Sequence, residues 1–124
     1  MIQHVTREIR HSELGQCVAF YGLLGFEPVP VPAGISGRAV WLEHSGTQIH
    51  LMFAADAVTA DRRPSGHVGV VVPGYDETVQ RLRAAGHSVQ PRRPHWGSPR
   101  AYVHDPIGNL VEVIAFPPSE MPGE

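Results

Sequence analysis

The sequence predicts an α+β domain in which one β-α-β-β-β module occurs twice. Two observations support this: both halves place strand-like and helix-like segments in the same order, and equivalent positions recur at a nearly constant offset. Hydrophobic residues make up 42% and charged residues 18% of the 124, which is typical of a folded globular chain. We expect a single domain over residues 1–124, with modules at about 1–54 and 66–116, a linker at 55–65 and a tail at 117–124.

The first half opens with a strand pattern and continues with a helical pattern. Leu14, Val18 and Tyr21 follow helical spacing, Ser12 can serve as the N-cap, and Gly25 closes the helix. Three strands follow, and Ser45-Gly46 forms a tight connection between the last two. The expected elements are a helix over 12–25 and strands over 2–9, 26–31, 39–44 and 47–53.

The second half repeats this order. Val79 and Leu82 follow helical spacing, Gly86 ends the helix, and a DPIGN turn precedes the last strand. Gly25 and Gly86 are 61 residues apart. The expected elements are a helix over 75–86 and strands over 66–72, 87–92, 100–105 and 109–116.

Four polar residues occupy equivalent first-strand and last-strand positions of the two modules. His4 and His67 are 63 residues apart, and His50 and Glu112 are 62 residues apart. Each lies at an alternating position in an apolar strand, where a carboxylate is costly unless it is paired or metal-bound. Three imidazoles and one carboxylate suit zinc, nickel, cobalt, manganese or iron(II). Alternatively, Glu112 pairs with a protonated histidine in a wet cleft.

Composition excludes several other classes of function. The net charge of −2, without a cluster of positive charge, disfavours nucleic acid and membrane surfaces as partners. No apolar run approaches the roughly 18 residues that a membrane span needs. All ten basic residues are arginine, so Schiff-base catalysis is excluded, and the single cysteine, Cys17, excludes an internal disulfide. We expect a cytoplasmic protein.

The repeated plan resembles the vicinal oxygen chelate superfamily, which includes glyoxalase I, methylmalonyl-CoA epimerase, extradiol dioxygenases, and fosfomycin- and bleomycin-resistance proteins. The segments AFYGLLGFEPV, GHVGVVV and YVHDPIGNLVEV carry the resemblance, which extends over about residues 2–116. Metal ligands in that family lie on the first and last strands of each module. The resemblance therefore implies that His4, His50, His67 and Glu112 bind one divalent metal ion.

The number of ligands separates the functions that the resemblance implies. Four ligands, as in glyoxalase I, imply a lyase or isomerase that acts through a metal-stabilised enediolate, with Glu112 as the catalytic base. Glyoxalase I usually has glutamate where this chain has His50. Without His50, the remaining three ligands imply an Fe(II)-dependent extradiol-type dioxygenase. The third possibility is a metal-free protein that binds an antibiotic or metabolite, as bleomycin-resistance proteins do.

Four further residues are candidates for contacting a small-molecule substrate. Trp41 lies mid-strand and forms either the floor of a pocket or part of the core. Arg100 either binds a substrate anion or is a solvated loop residue. Tyr102 and His104 share one face of the penultimate strand. His95 and Trp96, beside the loop formers Pro94, Gly97 and Pro99, are expected to form a mobile lid.

The resemblance also implies a homodimer, since members of the family often dimerise with modules that pair within or across chains. The four metal ligands could therefore come from one chain or from two.

Overall fold

The computed structural model describes residues 1–57 and 66–118, and it confirms the repeated β-α-β-β-β plan. Part of the expected linker and the end of the expected tail, residues 58–65 and 119–124, lie outside the described residues. The elements of the first module are β1 (His4–Ile9), α1 (Leu14–Leu23), β2 (Glu27–Val29), β3 (Ala39–His44) and β4 (Thr47–Phe53). Those of the second are β5 (His67–Val71), α2 (Tyr75–Ala84), β6 (Gln90–Arg92), β7 (Arg100–His104) and β8 (Leu110–Ile114).

Each module forms its own four-stranded mixed sheet with the same topology. The strand orders are β1-β4-β3-β2 and β5-β8-β7-β6. In each sheet the first strand pairs in parallel with the last, and the other pairs are antiparallel. The α+β class is therefore confirmed. Within one chain, however, the described strands form two separate sheets rather than one sheet that encloses a cleft.

The helices end as the sequence predicts, but α1 begins later than expected. Gly25 and Gly86 follow the two helices with φ of 102° and 93°, values that favour glycine. A 3-10 turn at His11–Glu13 precedes α1, and the Arg10 N–H donates to Glu13 Oε1 at 2.8 Å. Each helix has ten residues, and no described helix is long and apolar enough to cross a membrane.

Alternation along the strands places apolar side chains on one face of each sheet. Leu51 on β4 and Val111 and Val113 on β8 are fully buried. Phe20 and Leu82, from α1 and α2, join the same core. The opposite face of each sheet carries the polar residues at the intervening positions, so the two candidate site faces lie away from the core.

A buried hydrogen bond joins the two modules. The Tyr21 hydroxyl on α1 donates to Asp105 Oδ2, just after β7, at 2.6 Å. Asp105 is 1% exposed and also accepts from the backbone N–H groups of Ile107 and Asn109 and from Asn109 Nδ2. This network fixes the turn that leads into β8, the strand that carries Glu112.

Candidate metal and substrate site

Strand register places the predicted site residues in matching rows on the two sheets. In the first sheet Thr6, His50 and Trp41 lie side by side across β1, β4 and β3. Gly69, Glu112 and Tyr102 form the matching row across β5, β8 and β7 of the second sheet. His50 therefore occupies the same position in its module as Glu112 does, and Trp41 the same position as Tyr102.

In the second module the two predicted metal ligands converge. His67 Nε2 lies 3.4 Å from Glu112 Oε1. Two ligands that each lie about 2.1 Å from one metal ion are about 3.0–3.4 Å apart at angles of about 90–109°. A Cβ added to Gly69 would contact Glu112 Oε1 at 3.4 Å, so the glycine keeps this side of the oxygen open. The pair therefore fits a divalent metal ion.

The other oxygen of Glu112 is held by Arg100. Arg100 Nη1 donates to Glu112 Oε2 at 2.9 Å, and the side chains are only 9% and 12% exposed. Arg100 Nε donates to the Arg93 carbonyl oxygen at 2.8 Å, and Nη2 to His95 Nε2 at 2.8 Å. The hydrogen bond to Glu112 raises the pKa of the Arg100 guanidinium. The arginine is a buried part of the site, and all its side-chain nitrogens are engaged within the chain.

The loop before β7 is anchored to the end of β8. Trp96 Nε1 donates to the Phe116 carbonyl oxygen at 2.9 Å. Ser98 Oγ accepts from the backbone N–H groups of Ala115 and Phe116, at 3.0 and 3.2 Å. These bonds attach the loop to the end of β8, and the mobile lid remains a prediction from the sequence. Sequence reasoning missed Ser98, which is 1% exposed; its position between Gly97 and Pro99 was the only signal.

In the first module three aromatic rings form one stack. The His50 ring lies between Trp41 and His4, with ring centroids 4.1 Å away on each side and interplanar angles of 4° and 11°. A metal ion binds imidazole in the plane of the ring. Two parallel stacked rings do not share such a plane, so His4 and His50 do not share one ion in this arrangement.

Hydrogen bonds indicate which ring nitrogens of His50 and His4 carry a proton. Gln48 Nε2 donates to the Glu43 carboxylate at 2.9 Å, which turns Gln48 Oε1 toward His50 Nε2 at 2.8 Å. His50 Nε2 is therefore the protonated nitrogen and donates to Gln48. Burial, together with the neighbouring His4, lowers the pKa of His50. His4 Nδ1 lies 2.7 Å from Gln3 Oε1; donation from Nδ1 leaves Nε2 of His4 for a ligand.

Tyr102 and His104 lie on the same face as the converging pair. The Tyr102 ring centroid is 5.3 Å from the His67 ring centroid. The guanidinium carbons of Arg92 and Arg100 lie 5.4 and 5.6 Å from the Tyr102 centroid. His104 pairs in register with Leu110, which pairs with His67. Its Nε2 is buried and has no hydrogen-bond partner among the described residues.

The pair His4 and His50 and the pair His67 and Glu112 do not form one site within a single chain. Among residues 1–57 and 66–118, no group of three or more histidine, cysteine, aspartate or glutamate side chains is placed to hold a metal ion. The structure therefore brings the four predicted ligands together as two pairs, His4 with His50 and His67 with Glu112.

Comparison with known proteins identifies relatives of the whole fold. A family model described as the Glyoxalase/Bleomycin resistance protein/Dioxygenase superfamily matches residues 1–113. No curated protein matches the chain.

Solved structures of similar fold cover nearly the whole chain. A Bacillus anthracis protein assigned to the glyoxalase family is 28% identical, with a TM-score of 0.78 over 92% of this chain and 93% of that one. FosX, a fosfomycin resistance protein from Listeria monocytogenes, was solved as a mutant with Mn(II) and 1S,2S-dihydroxypropylphosphonic acid. It is 20% identical, with a TM-score of 0.73 over 94% of this chain and 90% of that one. A Nostoc punctiforme glyoxalase/dioxygenase is 18% identical, with a TM-score of 0.77 over 94% and 91%.

Proposed function

Because the chain belongs to the glyoxalase/bleomycin resistance protein/dioxygenase superfamily, we propose that it is an enzyme that binds one divalent metal ion and acts on a small molecule. The convergence of His67 Nε2 and Glu112 Oε1 at 3.4 Å beside Gly69 carries the proposal. His4 Nε2 is the third ligand. When bound, the ion supplies Lewis-acid stabilisation of negative charge that develops on substrate oxygens.

His50 has an orienting role in this proposal. Its Nε2 is committed to Gln48, and its ring is stacked between Trp41 and His4. With Nε2 protonated, His50 could coordinate an ion only through Nδ1, and the parallel stack means that His4 and His50 do not share one ion. The stack instead fixes the plane of the His4 ring. Three ligands, two histidines and one carboxylate, then remain for the ion.

The leading reaction is of the glyoxalase-like lyase or isomerase kind, in which a proton next to a carbonyl is moved. Glu112 is the base that the family resemblance implies. Since Oε2 is bonded to Arg100, the proton would be accepted at Oε1, and that oxygen would have to leave the ion first. His104 supplies a second proton-transfer group, because its buried Nε2 has no partner among the described residues. Tyr102 and Trp41 are the aromatic walls available to a substrate.

The second candidate is an Fe(II)-dependent dioxygenase. The observation that favours it is the stacking of His50 on His4, which keeps the two rings from sharing one ion. Two histidines and one carboxylate are the ligand set of non-haem Fe(II) oxygenases.

We also propose that the complete site forms between two copies of the chain. His4 of one copy would join His67 and Glu112 of the other, because these residues lie on separate sheets within one chain. The apolar side chains of Met52 and Val71, exposed by 44% and 41%, lie on the two site faces, where a second copy would cover them.

The first test is the metal content of untagged protein, measured by elemental mass spectrometry. We expect about one equivalent of nickel, zinc, cobalt or manganese per chain, lost in His67→Ala and Glu112→Ala. His11→Ala is the control, because His11 stacks on Phe53 outside the site. That result would justify activity screens with α-oxo-aldehydes, thioesters and fosfomycin. Iron in place of these metals would favour the dioxygenase. No metal after reconstitution would overturn the proposal in favour of a metal-free binding protein.

A further inference from the structure

The two oxygens of Glu112 have different partners. Oε2 accepts a hydrogen bond from Arg100 Nη1 at 2.9 Å, whereas Oε1 faces His67 Nε2 at 3.4 Å and the open space beside Gly69. A carboxylate can bind a metal ion through one oxygen or through both. With Oε2 bonded to a guanidinium, this carboxylate offers one oxygen.

Arg100 is itself fixed at its other nitrogens. Nε donates to the Arg93 carbonyl oxygen and Nη2 to His95 Nε2, both at 2.8 Å. A guanidinium is planar, so these bonds fix the plane in which Nη1 meets Glu112. The Arg100 side chain is only 9% exposed, so it is unlike a flexible surface arginine.

The loop that supports Arg100 is hydrogen-bonded to the chain just beyond β8, the strand that carries Glu112. The loop that contains Arg93 and His95 is held by Ser98 and Trp96 to the backbone of residues 115–116, just beyond the end of β8. Glu112 lies near the middle of that strand. The carboxylate, the arginine and the loop therefore form one closed unit within the second module.

A buried ion pair of this kind is weak evidence of a stabilising role, because desolvation offsets most of its Coulomb energy. Orientation of a neighbouring ligand is a role that a buried arginine performs well, because its donors have a fixed geometry. We propose that Arg100 is a positioning residue that holds Glu112 so that Oε1 alone is presented to the metal ion. The inference rests on the proposed metal centre, and it replaces substrate binding as the role of Arg100.

The test measures binding of Mn(II) alone, from the electron paramagnetic resonance signal of the free ion, and the visible absorption spectrum of the Co(II)-loaded protein. We expect Arg100→Gln to weaken Mn(II) binding by about 10–100-fold and to change the Co(II) spectrum, because Glu112 loses its fixed orientation. Arg100→Lys should recover part of the affinity but not the spectrum, since an ammonium is a point charge.

Arg92→Gln is the matched control. Arg92 pairs in register with Arg100 and lies at a similar distance from the Tyr102 ring, but no hydrogen bond to Glu112 is formed by it among the described residues. We expect wild-type Mn(II) affinity and an unchanged Co(II) spectrum in this variant. An equal change in Arg92→Gln and Arg100→Gln would overturn the inference, because charge on the face would then explain the effect.

The other outcomes are separated by comparison with the wild type. If the wild type binds Mn(II) and a folded Arg100→Gln binds it equally well with an unchanged Co(II) spectrum, Arg100 does not position Glu112. If the wild type binds neither ion, the proposed function and this inference both fail. Should Arg100→Gln not fold, His95→Ala removes one support of Arg100 without touching Glu112. An unchanged Co(II) spectrum in that variant would also overturn the inference.

Discussion

The Tyr21 hydroxyl donates a 2.6 Å hydrogen bond to Asp105 Oδ2 across the boundary between the two modules. Both groups are almost fully buried, and 84 positions separate them in the chain. The bond links α1 to the turn before β8. The position of Glu112 therefore depends on contacts between modules as well as on its own sheet.

Removal of this hydroxyl should destabilise the fold. Tyr21→Phe leaves the buried Asp105 carboxylate with one donor fewer, so we expect the free energy of unfolding to fall by about 1–3 kcal/mol. Urea denaturation followed by circular dichroism measures this. Tyr75→Phe on α2 is the control, because Tyr75 is half-buried and its hydroxyl donates no hydrogen bond among the described residues. Equal stability of the two variants would argue against a specific role for the Tyr21–Asp105 bond.

Filling the space beside Gly69 should weaken metal binding without destabilising the fold. A Cβ at Gly69 would already contact Glu112 Oε1, and valine adds two methyl groups. We expect Gly69→Val to weaken Mn(II) binding by at least about tenfold, with an unchanged or higher melting temperature because valine favours strands. Gly66→Ala is the control, since a Cβ there meets nothing within 4 Å. Wild-type Mn(II) affinity in Gly69→Val would place the ion elsewhere.

Two substitutions of His50 separate ligation from orientation. Phenylalanine keeps a ring between Trp41 and His4 but has no nitrogen, whereas alanine removes the ring. We expect His50→Phe to retain most of the Mn(II) affinity and His50→Ala to lose about tenfold or more. Isothermal titration calorimetry with Mn(II) measures both. Complete loss of binding in both variants would instead identify His50 as the fourth ligand.

Mixed dimers can locate the site between two chains. Chains with His4→Ala and chains with Glu112→Ala each lack one ligand, so neither homodimer should bind the ion tightly. If the site is shared, a mixed dimer has one site with both changes and one intact site. Unfolding and refolding an equal mixture should then restore about one quarter of the wild-type metal sites. No recovery, in a mixture shown to contain mixed dimers, would place the ligands within one chain.

The Cys17 thiol should be unreactive in the folded chain. Burial, with smaller effects from Asp105 and Glu13, raises its pKa from 9.0 to about 12. The folded state therefore favours the protonated thiol, and the resulting stabilisation is complete below pH 9 and declines as the pH rises toward 12. At pH 8 we expect no reaction with Ellman's reagent until urea unfolds the chain. Rapid reaction in buffer alone would show that α1 opens readily.

Local patterns in the sequence predicted most of the fold. Strands β3 and β4 have the predicted bounds, because Ser45-Gly46 turns the chain between them, with φ of 51° and 84°. The helix ends at Gly25 and Gly86 were predicted because glycine adopts positive φ at low cost. The expected N-cap of α1, Ser12, was wrong by one residue: the 3-10 turn His11–Glu13 forms first, and Glu13 is the N-cap.

The hydrogen-bonding and stacking partners of the site residues could not be predicted, because they come from distant parts of the sequence. The sequence identified Arg100 as a candidate for anion binding; only the fold shows that a loop closes over it and directs it to Glu112. The stacked position of His50 depends on register between three strands.

From the amino-acid sequence alone one can identify the residues that share a strand face and the positions that are equivalent in the two modules, because alternation and an internal repeat are patterns along the chain. The folded structure was needed to show that His67 and Glu112 converge, that His50 stacks between Trp41 and His4, and that the two pairs lie on separate sheets. The geometry of the ligands depends on the register between strands and on the packing of the modules. Both are determined by residues that are far apart in the sequence.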